Sequence, residues 1–272
     1  MTYQIFPHKI ISIKNYTENV KLFRIKTKLN PEPGQFFELS IPGIGECPLA
    51  SCSHNSKYID ALVRNAGNVT SSIFKLKKGN LVWLRGPYGK GFPIKELEGK
   101  NIILIAGGTG IAPVTSLINY IEQNRKKFKD IKIYFGFRNE KYVLLNERIK
   151  NWGGKFSLTI CLDKTKNKNY FSGFINSAIK KQKINSENSV AVMCGPEAMM
   201  KTATEELNKK GITNNKIYWS MERRMECAIG SCGRCLIQDV YTCRDGPVFR
   251  YDYIKPRLEA EEESNKEGKN EL

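Results

Sequence analysis

Four cysteines near the C-terminal end constrain this chain more than any other feature of its sequence. Cys227, Cys232, Cys235 and Cys243 follow the pattern C-x4-C-x2-C-x7-C. Two irons bridged by two sulfides need four thiolate ligands, and the first three spacings are those of plant-type [2Fe–2S] sites. The residues between the cysteines are mostly small, which lets the backbone turn tightly and direct N–H groups towards an anionic cluster. The pattern therefore predicts a [2Fe–2S] cluster.

Zinc is the competing interpretation of the same four cysteines. Structural zinc sites commonly use two separated C-x2-C pairs. This segment has one such pair, Cys232 and Cys235. We therefore favour the iron–sulfur cluster over zinc, and either metal site over four unrelated core cysteines.

Length and composition indicate a globular protein of two or more domains. The chain has 272 residues, of which 40% are hydrophobic and 26% charged, and this length suffices for two hydrophobic cores. No apolar run approaches the roughly 20 residues of a membrane span, and no cleavable leader is apparent at the N-terminus. Eight cysteines, four of them assigned to a cluster, fit a reducing compartment. We expect a cytoplasmic protein without a membrane segment.

The chain is strongly basic, with 44 Lys and Arg residues against 27 Asp and Glu residues and a formal charge of +17. The lysines are spread along the sequence, and no helix-turn-helix, zinc-finger or RNA-binding motif accompanies them. We therefore expect no nucleic-acid partner. A solvated basic surface and docking to an acidic redox partner both remain open.

The N-terminal part, residues 1–97, reads as a series of short strands separated by turns. β-branched and aromatic residues concentrate in short runs bounded by glycine and proline, which predicts an antiparallel barrel or sandwich. The predicted strands are residues 10–16, 20–27, 35–41, 58–65 and 81–84.

The pattern changes at residue 98 to strands that alternate with helices. Apolar runs at residues 102–106, 131–135, 157–162, 190–193 and 216–219 are separated by helical stretches near residues 111–121, 139–152, 175–182 and 194–211. Such alternation predicts a doubly wound parallel sheet. We assign residues 98–221 to this nucleotide-binding domain, residues 222–253 to the cluster domain and residues 254–272 to a polar, disordered tail.

Two turns at the carboxyl ends of predicted strands could bind phosphate. Gly107, Gly108, Thr109 and Gly110 join the first strand of the second domain to its helix, and 194–196 follows the fourth strand. Glycine backbone N–H groups and a helix N-terminus favour anions. A glycine turn is equally often a tight connection only, so this motif is weak by itself.

Taken together, these motifs resemble the ferredoxin–NADP reductase superfamily. The resemblance rests on residues 48–51 and 67–70 of the barrel, the segment 106–113, the Cys-Gly-Pro turn at 194–196 and the cysteine loop. The cluster segment is similar to the branch that holds the electron-transfer subunits of dihydroorotate dehydrogenase B, sulfhydrogenase and anaerobic sulfite reductase. Residues 222–235 and 241–249 are most similar to the sulfite reductase members.

The resemblance implies FAD on the barrel, NADH or NADPH on the second domain, and the [2Fe–2S] cluster as the group through which electrons leave the protein. It implies no acid–base catalytic residue. The implied flavin-site residues are Pro48, Leu49, Ala50, Ser51, Leu62, Val63, Arg64, Val69 and Thr70. The implied nicotinamide-side residues are Gly107, Gly108, Thr109, Gly110, Ile111, Ala112, Pro113, Cys194, Gly195 and Pro196, with Arg138 near the adenosine end.

One departure from the family pattern concerns the flavin. The usual Arg-x-x-Ser motif reads Cys47, Pro48, Leu49, Ala50 here, so its arginine and serine are missing. Either backbone N–H groups, Ser51 or Cys52 replace their contacts, or the flavin is held more weakly.

The resemblance also implies a function and partners. The chain would be an oxidoreductase subunit that passes electrons from NADH through FAD and the cluster to iron–sulfur and sirohaem-containing sulfite reductase subunits. The alternative is the same module serving a hydrogenase, a dihydroorotate dehydrogenase or ferredoxin. The non-enzyme alternative is a zinc-containing basic binding protein.

Overall fold

The N-terminal part of the computed structural model forms a closed antiparallel barrel. The structure describes residues 4–270, with side chains described as far as residue 264. Six strands pair in the order β4-β3-β6-β1-β2-β5, and a bridge between Ser51 and Ala61 joins the two edges. The elements are β1 (Phe6–Thr17), β2 (Val20–Lys26), β3 (Phe36–Ile41), β4 (Gly45–Ala50), β5 (Tyr58–Arg64), α1 (Asn68–Lys75), β6 (Leu81–Tyr88) and α2 (Ile94–Leu97).

The barrel interior is filled by apolar side chains from facing strands. Successive strand residues point to opposite faces of the sheet. Phe23 and Ile25 on β2 therefore meet Phe37 and Leu39 on β3 in one interior, and all four are fully buried or nearly so. The barrel predicted from the run of short strands is confirmed.

The second part is a seven-stranded sheet in the order β10-β9-β8-β7-β11-β12-β15, parallel except at β15. The central strands β7 and β11 are buried on both faces, as parallel strands covered by helices require. Its elements are β7 (Asn101–Gly107), α3 (Ile111–Gln123), β8 (Ile131–Phe137), α4 (Asn146–Gly153), β9 (Ser157–Leu162), β10 (Phe171–Ser172), α5 (Ile175–Lys181), β11 (Ser189–Cys194), α6 (Glu197–Lys209) and β12 (Ile217–Ser220).

The helix predicted from residue 139 is shorter in the structure. A single 3-10 turn, Glu140–Tyr142, comes first, and α4 begins at Asn146. Leu145 has a φ of 57°, in the left-handed region, which interrupts the helix between the two. The helix predicted to reach Gly211 ends at Lys209, and Gly211 follows with a φ of 89°.

The cysteine segment follows β12 and returns to the same sheet. It contains a short hairpin, β13 (Leu236–Ile237) with β14 (Val240–Tyr241), and a one-turn helix α7 (Thr242–Asp245). Strand β15 (Val248–Arg250) then pairs antiparallel with β12. The last residues assigned from the sequence to the cluster domain therefore belong to the nucleotide-binding sheet.

The C-terminal segment is a helix in the described residues, which corrects the expectation of a disordered tail. Helix α8 (Tyr251–Asn270) contains Pro256 and is highly charged. Ile254 and Leu258 are four residues apart, so they share one face of the helix, and both are buried in the core of the second part. Two apolar residues in a charged stretch give little periodicity from which to predict a helix. Residues 271–272 of the predicted tail lie outside the described residues.

No helix in the described part of the chain is both long and apolar enough to cross a lipid bilayer.

Candidate functional site

The larger of two neighbouring cavities lies at the carboxyl ends of the parallel strands. Its volume is about 740 Å³, within the usual range for small-molecule sites. The sheet contributes Gly107, Gly108, Thr109, Arg138 and Pro196, and the barrel contributes Val20 and Arg64. The carboxyl edge of a doubly wound sheet is where such folds bind ligands. The cavity thus lies between the two halves and contains several of the residues predicted for the nicotinamide side.

Glycines allow the two loops behind this cavity to pack closely. A Cβ on Gly110 would lie 2.5 Å from the carbonyl oxygen of Cys194, and one on Gly195 would lie 3.0 Å from the backbone nitrogen of Gly107. Gly108 differs, because its φ is 54° and a Cβ there would point into open space. Gly110 and Gly195 therefore allow the two loops to approach closely, while Gly108 leaves its backbone accessible.

A second, narrower cavity of about 270 Å³ adjoins the first on the barrel side. Arg64 and Thr109 line both cavities, so the two are adjacent. Residues predicted for the flavin from the barrel meet residues of the second domain here. The predicted residues in its lining are Pro48, Leu49, Ala50, Leu62, Arg64, Thr70, Thr109, Ala112, Pro113 and Cys194.

Six residues predicted to bind a cofactor line neither cavity. Their side chains or backbone pack beneath the residues that line the cavities, either in the barrel core or where the two glycine-containing loops meet. They therefore support the lining residues without contacting the cavities. Val63 and Ile111 are buried core residues, and Val69 packs against the barrel core. The six are Ser51, Val63, Val69, Gly110, Ile111 and Gly195.

The structure corrects the suggestion that Ser51 or Cys52 replaces the missing flavin-motif side chains. Ser51 is fully buried, and its hydroxyl donates to the carbonyl oxygen of Ser53 at 2.7 Å. Cys52 is also fully buried, and Arg148 donates to its carbonyl oxygen at 2.7 Å. Both side chains are buried, and neither lines either cavity.

Arg64 and the start of helix α1 lie beside the same cavity. Arg64 is exposed at the end of β5 and makes no ion pair within the described part of the chain. The Thr70 hydroxyl accepts from the backbone N–H groups of Ala66 and Gly67, each at 2.9 Å, which orders the turn before the helix. A guanidinium beside a helix N-terminus suits a phosphate group. Contact of these residues with the phosphates of a dinucleotide stays a prediction.

In the cysteine loop, backbone N–H groups are directed at the sulfur atoms. The N–H groups of Ser231 and Cys232 donate to the Cys227 sulfur at 3.3 and 3.4 Å, and that of Gly230 donates to the Cys243 sulfur at 3.2 Å. Burial opposes ionisation of Cys227, but donors to its sulfur, first the N–H of Ile229 and then those of Ser231 and Cys232, outweigh it and lower the pKa of the thiol to about 6. Donors to sulfur are what an anionic thiolate cluster needs.

The four cysteines form two pairs. Cys227 contacts Cys232, and Cys235 contacts Cys243, each through a side-chain hydrogen bond. Among the described residues, no three cysteine, histidine or acidic side chains converge so that they could hold a single metal ion. A tetrahedral zinc requires such convergence, whereas a two-iron cluster divides its four ligands into two pairs. Four cysteine thiols are a ligand set that iron–sulfur clusters use.

A thin apolar wall separates the narrow cavity from the cysteines. Phe36 and Met225 line that cavity, and both belong to a buried group that also contains Tyr88, Cys235 and Cys243. The rings of Phe36 and Tyr88 lie 5.8 Å apart. The candidate flavin cavity and the candidate cluster are therefore neighbours across one layer of side chains.

Two charged residues beside this wall were not anticipated from the sequence. Arg85 on β6 is 2% exposed and Glu38 on β3 is 0% exposed, and the two are paired in register across the strands. Neither carboxylate oxygen of Glu38 has a hydrogen-bond partner among the described residues. The strand predicted at residues 81–84 ended one residue before Arg85. The available signal was Glu38, a charged residue within the largely apolar strand predicted at residues 35–41.

The fold is that of ferredoxin–NADP reductases. The structure matches an NADH-dependent reduced ferredoxin-NADP oxidoreductase with a TM-score of 0.76, covering 92% of each chain at 23% identity. It also matches a ferredoxin NADP+ reductase from Neisseria gonorrhoeae with a TM-score of 0.68, covering 80% of this chain and 98% of the other at 20% identity. At these identities the likeness establishes the fold alone.

Sequence comparison identifies the family within that fold. Residues 104–205 match an oxidoreductase NAD-binding domain, and residues 222–255 match the iron–sulfur cluster binding domain of dihydroorotate dehydrogenase B. The chain is 33% identical to "Sulfhydrogenase 2 subunit gamma" of Pyrococcus furiosus, covering 92% of this chain and 96% of the relative. It is 36% identical to the "Probable dihydroorotate dehydrogenase B (NAD(+)), electron transfer subunit" of the same organism, covering 85% of each. The chain belongs to this family of oxidoreductase electron-transfer subunits.

Proposed function

We propose that this protein is an electron-transfer subunit that carries electrons from NADH, through FAD and a [2Fe–2S] cluster, to a catalytic partner subunit. One observation carries the proposal. The cavity beside the glycine turn, the barrel cavity and the cysteine loop are contiguous, joined by Arg64 and Thr109 at one boundary and by Phe36 and Met225 at the other. Three carriers in series need such contiguity.

The chemistry requires a two-electron donor to be matched to a one-electron acceptor. Flavin supplies that match when bound, since it accepts a hydride and returns electrons singly. The chain's own residues would bind and orient the flavin and the nicotinamide nucleotide. Arg64 and the start of α1 would hold the flavin's phosphates, Gly108 would let the nicotinamide nucleotide approach the backbone, and the apolar wall of Phe36, Tyr88 and Met225 would exclude water from the route.

The partner is inferred from the relatives and from the charge of the chain. The relatives described above are named as subunits of sulfhydrogenase and of dihydroorotate dehydrogenase B. They support a hydrogenase or dihydroorotate dehydrogenase partner better than the sulfite reductase subunits predicted from residues 222–235. A formal charge of +17 favours a partner with an acidic docking surface.

Anaerobic purification followed by a stepwise NADH titration tests the electron path. We expect flavin and cluster absorbance in the purified protein, and bleaching of both by NADH. A protein that binds FAD and cluster after reconstitution, but that NADH does not bleach, would contradict the proposal. So would a protein that retains zinc in place of iron.

Purification of the native complex tests the partner. The chain, tagged at its C-terminus and expressed in its own host, should bring down a catalytic subunit. The complex is then assayed for hydrogen evolution, dihydroorotate oxidation and sulfite reduction, each driven by NADH. NADH-driven sulfite reduction alone would restore the sulfite reductase assignment over the one favoured here.

A further inference from the structure

Arg85 joins the barrel to the cysteine loop through a set of buried hydrogen bonds. Its guanidinium donates to the carbonyl oxygens of Glu226 and Cys227 at 3.0 and 2.9 Å. These residues lie about 140 positions away in the sequence and begin the cysteine loop. Arg85 is therefore a barrel side chain that holds the backbone of the first cluster ligand.

The guanidinium is held in place from the barrel side as well. Glu46 on β4 forms an ion pair with Arg85, with one contact of 3.0 Å to its Nε, and the Tyr88 hydroxyl lies 3.2 Å from its Nη1. Because a guanidinium is planar and rigid, contacts on both edges fix its position and its plane. The Arg85 side chain is 2% exposed, so water competes little for these donors.

The position of Arg85 matters because of what lies on each side of it. Tyr88, three residues later on β6, belongs to the apolar wall between the barrel cavity and Cys235. Cys227 forms one of the two cysteine pairs. Movement of the loop away from Arg85 would widen the gap between the barrel cavity and the cysteines.

We propose that Arg85 is a positioning residue that fixes the cysteine loop against the barrel and thereby sets electron transfer from the flavin to the cluster. This inference rests on the proposed function. Arg85 also places a positive charge next to a ligand of an anionic cluster. An added electron makes the cluster more negative, so the cation stabilises the reduced form and raises the cluster's reduction potential.

Two substitutions separate the position of Arg85 from its charge. Arg85→Lys keeps the charge but cannot contact Glu46 and both loop carbonyls in one plane. Arg85→Met removes the charge and the hydrogen bonds. Arg24→Met is the matched control, since Arg24 pairs with the buried Asp60 at 2.7 Å in the same barrel and lies outside the Arg85 contacts.

The first measurement is hydrogen–deuterium exchange of residues 226–232, which reads loop position without reference to activity. We expect at least tenfold faster exchange of these amides in both Arg85 variants and no change in Arg24→Met. Equal protection of the loop in wild type and both Arg85 variants would overturn the proposal. If Arg85→Met does not fold, Glu46→Gln takes its place, because it removes the carboxylate that orients Arg85.

The second measurement follows reduction of the reconstituted protein by NADH in a stopped-flow instrument, together with a redox titration of the cluster. We expect unchanged flavin bleaching, at least tenfold slower cluster bleaching in both Arg85 variants, and a lower cluster potential in Arg85→Met only. Unchanged cluster bleaching in both variants would overturn the positioning role. If NADH bleaches neither chromophore in wild type, the proposed function fails, while the exchange result still decides whether Arg85 holds the loop.

Discussion

The guanidinium of Arg148 on helix α4 pairs with the carboxylate of Asp60 on strand β5, across the boundary between the barrel and the parallel sheet. Asp60 is fully buried and also pairs with Arg24 of the barrel at 2.7 Å. One carboxylate thus connects a strand of its own barrel with a helix of the second domain. This connection fixes the two halves on either side of the larger cavity.

We expect Asp60→Asn to lower the free energy of unfolding by roughly 3 kcal/mol, because it leaves two partly buried arginines without a counter-charge. Denaturant unfolding measures this change. Asp252→Asn is the control, since Asp252 pairs with an exposed Arg250 and its loss should cost about 1 kcal/mol or less. Equal losses in the two variants would show that the connection between the halves contributes nothing special to stability.

Replacement of an exposed cysteine in the loop should remove the cluster and leave the flavin. Cys232 is exposed and pairs with Cys227, so Cys232→Ser weakens one half of the ligand set without disturbing the core. The visible and electron paramagnetic resonance spectra report cluster and flavin separately. Cys161→Ala, at a buried cysteine outside the loop, should keep both. A normal cluster signal in Cys232→Ser would refute the ligand assignment.

The open space beside Gly108 predicts an effect on NADH binding. Gly108→Val directs a branched side chain into the larger cavity, and we expect the KM for NADH in flavin reduction to rise about tenfold, which corresponds to roughly 1.4 kcal/mol. Gly99→Val is the matched control, since Gly99 also has a positive φ, 71°, and open space at its Cβ, but does not line the cavity. A similar rise in both variants would indicate backbone strain rather than obstruction of the site.

The buried carboxyl of Glu38 predicts a pH-dependent stability. Burial raises its pKa to about 8 from the ordinary 4.5, despite the opposing charge of Arg85. Between these values the folded protein keeps a proton that the unfolded chain has lost, so stability falls as pH rises, by at most about 1.4 kcal/mol per unit.

Glu38→Gln removes this titration while keeping the shape of the side chain. Its advantage in free energy of unfolding over wild type should grow from about pH 5 to about pH 8, as followed by denaturant unfolding across that range. Glu18→Gln, at an exposed position in the turn after β1, is the control and should track wild type. Parallel curves for Glu38→Gln and wild type would contradict a raised pKa at this position.

The sequence predicted the parallel sheet well because its signals are local. All five predicted strands of the second domain are present, and strands such as β7 are apolar throughout because helices cover both faces. The glycine turn after β7 was equally visible. Its partner at Gly195 was placed correctly at the same sheet edge, since parallel strands end together.

Other elements depend on contacts that the sequence does not display. Strand β4 is half-exposed and contains Pro48, which lacks an N–H and is tolerated because β4 begins the strand order of the sheet at its edge. Glu38 lies in a strand buried on both faces, because the cysteine segment covers the outside of the barrel there. Only the folded chain shows that Phe36 and Met225 lie in the same apolar wall, between the cavity and the cysteines.

Ser220 and Val248 are register partners on adjacent strands, so the cysteine segment leaves and re-enters the sheet at the same place. The segment is thus an insertion between two neighbouring strands of the sheet. A short turn joining β12 to β15 would bypass every cluster ligand. Conversely, a parallel-sheet protein that ends on a strand equivalent to β12 could gain a cysteine segment of this kind by extension of its C-terminus, without any change in the order of its other strands.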